Sequence, residues 1–292
     1  MNTQILSRQQ LNVLHEHLQT RPRFKSPEWF QGLEARKLDE VSFHNTDRER
    51  VDQEVLRWQQ ETKIHANRKY YSVTRSSVEY VDHWLQRHAP GRIFLDYACG
   101  NGTRAVQAAK LGSSLAIGLD ISDVSIMNAA RDAAAAGVAE RCRFVQGDCE
   151  RTDFPDGSFD IILCCGMLHH LDLSRAFHEL HRILASGGQI MAVEALGHNP
   201  LINLYRRLTP NLRTKWETEH IISMRDIDFA GTMFHVDELK FWHLLALGAV
   251  PLRKTSLFLP CLAFMESLDT VLLKCPLIQR MAWQVTFELT KK

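Results

Sequence analysis

The fold of this chain is decided by the stretch IFLDYACGNGT, residues 93–103. Its first residues are mostly apolar, which is typical of a buried strand. A turn of small residues follows, with glycines at 100 and 102, and a helical pattern begins at Thr103. Glycine lets a ligand approach the backbone closely, and the first turn of a helix presents free N–H groups. Strand, glycine turn and helix together predict a nucleotide-type pocket.

Strand and helix patterns alternate through residues 92–195. This alternation predicts a doubly wound α/β fold, in which a mostly parallel sheet carries helices on both faces. Residues 1–90 form a charged helical extension or cap, and 91–292 form the main domain with inserts at about 196–232 and 257–281. The predicted strands are 92–97, 115–121, 142–146, 159–165, 189–195, 234–244 and 282–290, and the predicted helices are 102–111, 123–136 and 174–184, with helical stripes in the extension such as Val51, Val55 and Trp58.

The composition indicates an ordinary globular protein. The 292 residues carry a net charge of +1, so no overall charge favours a nucleic-acid partner. The seven cysteines form no C-x-x-C pair, which favours free thiols in a reducing compartment. The N-terminus has no signal-peptide core, and the longest apolar run, 241–252, is too short to cross a bilayer. We therefore expect a cytoplasmic protein without an integral membrane segment, either a monomer or a homodimer.

An acidic residue ends each of the first three predicted strands. Residues 100–105, GNGTRA, fit the dinucleotide pattern G-x-G-x-x-A, which alone is a weak signal. Asp120 suits the ribose of either NAD or an adenosyl ligand, and Asp148 could accept a hydrogen bond from an adenine amino group, with the N–H of Cys149 nearby. Asp96 would repel a pyrophosphate but attract a cation. Three acids in this arrangement favour S-adenosylmethionine, which carries a sulfonium and an ammonium.

Other interpretations of the same residues stay open. Each aspartate could instead cap a helix N-terminus, because strand-to-helix loops often end on Asp. An NAD-dependent oxidoreductase remains the alternative enzyme class on the strength of the glycine pattern. A binding protein that keeps the fold but has no catalytic activity is a third possibility.

Five motifs in order resemble the class I, Rossmann-like S-adenosylmethionine-dependent methyltransferases, of the small-molecule type related to ubiquinone, menaquinone and sterol methyltransferases. The motifs are LDYACGNG (95–102), GLDIS (118–122), QGDC (146–149), FPDGSFD (154–160) running into LHHL (168–171), and LHRILASGG (180–188). The resemblance covers roughly residues 92–195. It implies a seven-stranded sheet whose last strand, 282–290, is antiparallel.

The resemblance also implies cofactor-binding residues. The loop from Asp96 to Gly102, with Ala98 and Gly100, would hold the methionine portion of S-adenosylmethionine. The ribose would bind at Asp120 with Ile121, the adenine at Asp148 with Cys149, and the amino group near Cys165 and Gly166. Ala98 replaces the first glycine of the family's motif. We expect Ala98 to keep a negative φ and cofactor binding to tolerate its methyl group.

The candidates for catalysis are less specific. His169 and His170 follow the fourth strand, beside the expected methyl group, and Glu194 ends the fifth strand. Each could act as a base or position the acceptor, and each could equally order or pack a loop. In the extension, the candidates are Tyr71 with Tyr70, whose rings would attract a sulfonium, and the tripeptide Phe43-His44-Asn45.

We expect no metal site, because the adjacent Cys164 and Cys165 point to opposite faces of a strand and cannot both chelate one ion with the histidines. A cluster of basic side chains in the first insert could contact an acidic acceptor or simply face solvent: Arg206, Arg207, Arg213 and His220. The apolar residues 257–281 could line an acceptor pocket, rest on a membrane surface, form a dimer face or pack on the sheet. The sequence thus predicts methyl transfer from S-adenosylmethionine to a small, apolar or aromatic acceptor at oxygen, nitrogen or carbon.

Overall fold

The structure is a computed structural model that describes residues 8–49, 69–209, 212 and 214–292. The predicted helical stripe of Val51, Val55 and Trp58 and the insert cation Arg213 lie outside the described residues.

A seven-stranded sheet in the order β3-β2-β1-β4-β5-β7-β6 forms the centre of the molecule. The first five strands are parallel to one another, and β7 runs antiparallel to both of its neighbours, as the resemblance implied. The strands are β1 (Ile93–Tyr97), β2 (Leu115–Asp120), β3 (Cys142–Gln146), β4 (Phe159–Cys165), β5 (Leu184–Ala195), β6 (Phe234–Trp242) and β7 (Gln284–Lys291).

Helices cover both faces of the sheet. Alternate residues of β1 enter different cores, with Leu95 on one face and Phe94 on the other. Because both faces are covered, the strand reads as a continuous apolar run rather than an alternating one. The helices are α1 (Arg8–Thr20), α2 (Pro27–Gln31), α3 (Ala35–Arg48), α4 (Arg75–His88), α5 (Thr103–Lys110), α6 (Asp123–Ala135), α7 (Leu173–Ile183), α8 (Pro200–Leu208), α9 (Lys215–Glu219), α10 (Met224–Met233), α11 (Phe258–Leu272) and α12 (Pro276–Gln279).

The described part of the N-terminal extension lies against the carboxyl ends of the strands. Helix α3 packs on α6, and Arg21 donates a hydrogen bond to the carbonyl of Gln146 at the end of β3. Lys37 and Arg36 of α3 pair with acids in the loop that follows β3. The extension therefore covers the edge of the sheet where ligands bind in doubly wound folds.

The second predicted insert is only partly buried. Leu262 of α11 packs with Val73 and Ala249 in a small separate core. Phe264 and Val271 on the same helix are about two-thirds exposed. Among the described helices, each is too short or too polar to cross a bilayer. All seven cysteines are free thiols, as expected.

Candidate functional site

The carboxyl ends of the strands and helix α3 enclose a cavity of about 100 Å³. This volume is below the roughly 300–1,000 Å³ of typical ligand sites, because side chains of α3 extend into it. The lining residues are Arg36, Lys37, Glu40, His44, Arg48, Ala98, Asp120, Ile121, Asp148, Cys149, Cys165, Gly166, Met167, His170 and Leu171. All predicted cofactor residues are among them except Asp96, Gly100 and Gly102.

The two glycines of the turn serve different purposes. Both have positive φ, 53° at Gly100 and 74° at Gly102. A Cβ on Gly102 would lie 2.6 Å from Ala129 and from Phe144, so this position lets the turn pack against α6 and β3. A Cβ on Gly100 would only touch the Arg48 guanidinium, at 3.4 Å. Gly100 therefore faces the cavity side, and Gly102 permits close internal packing.

Ala98 corrects one prediction of the sequence analysis. Its φ is 57°, in the left-handed region, so the expectation of a negative φ was wrong. The next amide, Cys99 N–H, donates to the carbonyl of Leu119 at 2.8 Å and holds the turn against β2. Because the turn keeps the conformation that a glycine would adopt, Ala98 carries a strain of about 1–2 kcal/mol.

Asp96 is buried behind the cavity. Its Oδ2 accepts a hydrogen bond of 3.1 Å from the N–H of Ala105 in the first turn of α5. Burial raises the pKa of Asp96 to about 7. The contact with a helix N-terminus matches the helix-capping interpretation that the sequence left open.

Asp120 and Asp148 both line the cavity. Asp120 accepts hydrogen bonds from the amides of Gly100, at 2.7 Å, and Ser122, at 2.9 Å. Asp148 accepts from the amide of Glu150 at 2.9 Å. These backbone bonds fix both carboxylates at neighbouring strand ends, as the sequence predicted.

Two cations of α3 cover these acids. Lys37 Nζ lies 2.6 Å from Asp148 Oδ2, whereas Arg48 Nη1 lies 3.4 Å from each oxygen of Asp120. The long Arg48 contacts are weak hydrogen bonds that a ligand can replace. Neither residue can be identified as part of the site from the sequence, because a charged helix gives no signal of where it docks.

His170 meets two residues of α3 at the other end of the cavity. Its Nδ1 lies 2.9 Å from Glu40 Oε2, and His44 Nε2 lies 3.4 Å from the same oxygen. Burial, with His169 alongside, lowers the pKa of His170 to about 4, so its imidazole is neutral at pH 7. Burial opposes ionisation of Glu40, but the two imidazoles and Thr214 outweigh it and hold the pKa of Glu40 below its usual value.

His169 and Glu194 lie just behind this wall. Glu194 is 1% exposed. Its Oε1 accepts from the amides of Met167, at 2.8 Å, and Leu168, at 2.6 Å, while its Oε2 lies 2.6 Å from His169 Nδ1. Burial opposes protonation of His169, but Glu194 raises its pKa overall. The pair orders the turn that carries His170 into the cavity.

Of the other predicted candidates, His44 of the tripeptide Phe43-His44-Asn45 lines the cavity, whereas Tyr71 and the basic residues of the insert lie away from it. Tyr71 is 61% exposed, and its ring packs edge-on against Trp283. In the insert, Arg206 is buried and donates to the carbonyl of Leu196, while His220 stacks on Trp216. The structure therefore does not bring Tyr71 or these insert residues together with the strand-end acids.

The two adjacent thiols of β4 diverge as predicted. Cys164 is fully buried in the core, and Cys165 lines the cavity.

Comparison with known proteins identifies the central part of the chain. Residues 94–188 match a family model described as a methyltransferase domain. A sterol 24-C-methyltransferase of Gibberella zeae is 32% identical over 111 residues, which cover 37% of this chain and 29% of that enzyme. A demethylmenaquinone methyltransferase of Bacteroides fragilis is 33% identical over 114 residues, covering 38% of this chain and 46% of that enzyme. The chain thus matches less than half the length of either curated relative.

A solved structure extends the likeness over most of the fold. The geranyl diphosphate C-methyltransferase of Streptomyces coelicolor aligns with a TM-score of 0.60 at 16% identity, covering 89% of this chain and 99% of that one. At this identity the alignment shows the fold alone. It confirms the predicted seven-stranded sheet. Residues 94–188 of this chain therefore resemble a methyltransferase domain, and the fold around them is shared with a solved methyltransferase.

Proposed function

We propose that this chain transfers the methyl group of S-adenosylmethionine to a small, apolar or aromatic acceptor. The observation that carries the proposal is the pairing of Asp120 and Asp148 at neighbouring strand ends, both lining one cavity beside the glycine turn. Two carboxylates so placed suit a nucleoside with hydroxyl and amino donors, and they disfavour the pyrophosphate of NAD.

Each part of the cofactor would have its own residues. Asp120 with Ile121 would hold the ribose, and Asp148 with Cys149 the adenine. Ala98, Cys165 and the glycine turn would hold the methionine portion, with Asp96 buried behind the turn. When bound, the cofactor supplies a methyl group on a sulfonium, whose departing sulfur is neutral and requires no acid.

Helix α3 must shift or rearrange for this binding. The free space of about 100 Å³ is too small for a nucleoside with an amino-acid tail, and Lys37 and Arg48 already contact both acids. Arg48 contacts Asp120 only at 3.4 Å but donates a 2.6 Å hydrogen bond to Ser125 Oγ, so a ligand on Asp120 must draw the guanidinium away from both residues.

The acceptor would lie at the His170 end of the cavity. Met167 and Leu171 provide apolar lining there, which supports an apolar or aromatic acceptor. The neutral imidazole of His170 can accept a hydrogen bond from an oxygen or nitrogen acceptor and so position it, but its lowered pKa makes it a weak base. His169 and Glu194 would position His170 from behind, and Tyr71 has no place in this proposal because it lies outside the cavity.

Calorimetric titration with S-adenosylhomocysteine tests the cofactor assignment. Asp120→Ala removes charge-assisted hydrogen bonds to the ribose, each worth about 1.5–3 kcal/mol. We expect the affinity for S-adenosylhomocysteine to fall about 10- to 100-fold, with the circular dichroism spectrum unchanged. Asp228→Ala, at an exposed position of α10, is the matched control and should bind like the wild type.

Several results would contradict the proposal. Unchanged affinity in Asp120→Ala would refute the ribose assignment, and binding of NAD without S-adenosylhomocysteine would support the oxidoreductase. Binding of S-adenosylmethionine without any turnover across a panel of quinones, phenols, amines and prenyl compounds would favour the non-catalytic alternative.

A further inference from the structure

Two histidines and a glutamate from distant parts of the chain converge beside the cavity. Glu40 and His44 are four residues apart on α3, so they share one face of that helix. His170 comes from the short turn after β4. One potential ligand atom from each of the three residues lies within 4.8 Å of the other two.

The facing atoms of this cluster can share either a proton or a cation. Glu40 Oε2 and His170 Nδ1 are both buried and lie 2.9 Å apart, so without an ion the imidazole N–H would pair with the carboxylate oxygen. In its other tautomer His170 presents a lone pair on Nδ1, and a cation between the two atoms would then take the place of that proton.

The spacing fits a coordination sphere. Metal–ligand bonds of about 2.0–2.2 Å place adjacent ligand atoms roughly 2.9–3.5 Å apart in tetrahedral or octahedral geometry. Glu40 Oε2 lies 2.9 Å from His170 Nδ1 and 3.4 Å from His44 Nε2. Both distances match neighbouring ligands of one ion.

The surroundings hold the carboxylate in place. Thr214 Oγ1 donates a 2.5 Å hydrogen bond to Glu40 Oε1, which leaves Oε2 turned toward the two imidazoles. Such an outer hydrogen bond is the usual means of orienting a metal-binding carboxylate. A second carboxylate, Glu217, lies within the same range of His169 and His170 and offers a further ligand.

We propose that Glu40, His44 and His170 bind one divalent transition-metal ion, with Zn²⁺ as the first candidate. Two imidazoles and one carboxylate are ligands that zinc and the neighbouring divalent metals accept, and three protein ligands leave positions open. All three residues line the cavity, so the open positions are available to an oxygen-bearing molecule there. The ion would also tie α3 to the turn after β4.

From the sequence no metal site is expected, because the only thiols next to His169 and His170 along the chain point to opposite faces of β4. The structure instead places His170 against a helix from the extension. This site shares His170 and the cavity with the proposed methyl transfer, but the two proposals can fail separately because metal binding is measured without any cofactor.

Titration of the chelator-treated, dialysed full chain tests the site. We expect calorimetry with ZnCl₂ to show one saturable ion per chain. Co²⁺ should give visible absorption bands of four- or five-coordinate cobalt, which distinguish a protein site from hydrated ion. A titration that shows no saturable binding of either ion overturns the proposal.

Variants assign the ligands. Glu40→Gln and His44→Ala should each weaken Zn²⁺ binding at least 10-fold, and Thr214→Val should weaken it about 10-fold by releasing the carboxylate. His178→Ala removes an exposed imidazole of α7 outside the cluster and should bind Zn²⁺ like the wild type. Equal affinity in all four variants would refute these ligands, and if a ligand variant misfolds, Thr214→Val and the cobalt spectrum still decide.

Discussion

A single methyl group shows how the glycine turn is held. Ala98 has a φ of 57° although it carries a Cβ, and it lines the cavity where the family's motif has glycine. Its conformation is imposed by the hydrogen bonding of its neighbour Cys99 to β2, so the fold supports a strain that the residue alone would avoid.

Replacing Ala98 with glycine should stabilise the protein. The change removes about 1–2 kcal/mol of left-handed strain but adds about 0.4–1 kcal/mol of unfolded-chain entropy. We expect the free energy of unfolding to rise by about 0.5–1 kcal/mol in urea denaturation. Ala98→Val, which is β-branched, should lower it. A loss of stability in Ala98→Gly would mean that contacts of the methyl group outweigh the strain.

At the scale of elements, helix α3 is the lid of the site, and Glu150 fastens it. The Glu150 side chain is 1% exposed, and it accepts hydrogen bonds from Arg36 and from the amide of Asp172. Lys37 Nζ lies 2.8 Å from its Oε2. One buried carboxylate thus joins α3 to the loop after β3 and to the start of α7.

Glu150→Gln should loosen α3. The change weakens the bonds that Arg36 and Lys37 make to this carboxylate, while Lys37 keeps Asp148 and Arg36 keeps Glu34 as partners. Losing charge-assisted hydrogen bonds of this kind costs about 1.5–3 kcal/mol. We expect the free energy of unfolding to fall by about that amount, and the amides of α3 to exchange hydrogen faster than those of α6. Glu28→Gln, at an exposed position of α2, should change neither measurement. If the hydrogen-exchange rates of the α3 amides stay unchanged, the helix is held by its other contacts.

For the whole molecule, buried titrating groups set how stability depends on pH. His243 is 2% exposed, and its Nε2 lies 2.8 Å from Ser77 Oγ. Burial lowers the pKa of His243 to about 4, so between pH 6.5 and 4 the unfolded chain binds a proton that the folded one does not. This group therefore lowers stability as the pH falls. Burial raises the pKa of Asp96 to about 7, so between pH 4 and 7 the folded chain keeps a proton that the unfolded chain loses. Asp96 therefore lowers stability as the pH rises through this range.

His243→Asn should remove the histidine contribution. Asparagine tolerates the φ of 63° at this position, so the backbone can be kept. When the pH is lowered from 6.5 to 4.5, we expect the free energy of unfolding of the wild type to fall by about 2–3 kcal/mol more than that of the variant. Urea denaturation curves of both proteins at several pH values measure this change in the free energy of unfolding. Asp96→Asn, which removes a shift of opposite sign, serves as the comparison. A difference that stays constant with pH would mean that His243 is protonated in the folded protein.

Local patterns in the sequence were sufficient to predict the sheet, the glycine turn and the acids at the strand ends. Runs of apolar residues, glycine spacing and acids at strand ends are properties of short segments, and parallel strands necessarily bring their carboxyl ends to one edge. For this reason Asp120 and Asp148 could be assigned to one cavity before the structure was known.

The docking of α3 was decided only in the tertiary structure. Its charged residues show no local preference for a partner, so nothing in the sequence indicates that Lys37 reaches Asp148 or that Glu40 and His44 meet His170. The φ of Ala98 likewise depends on a hydrogen bond to another strand. The burial of Glu194 depends on the turn after β4, whose amides it binds. The sequence by itself determined the sheet and the acids at its edge, because these follow from local periodicity. Contacts between distant segments determined what covers that edge, because their free energy exists only once the chain has folded.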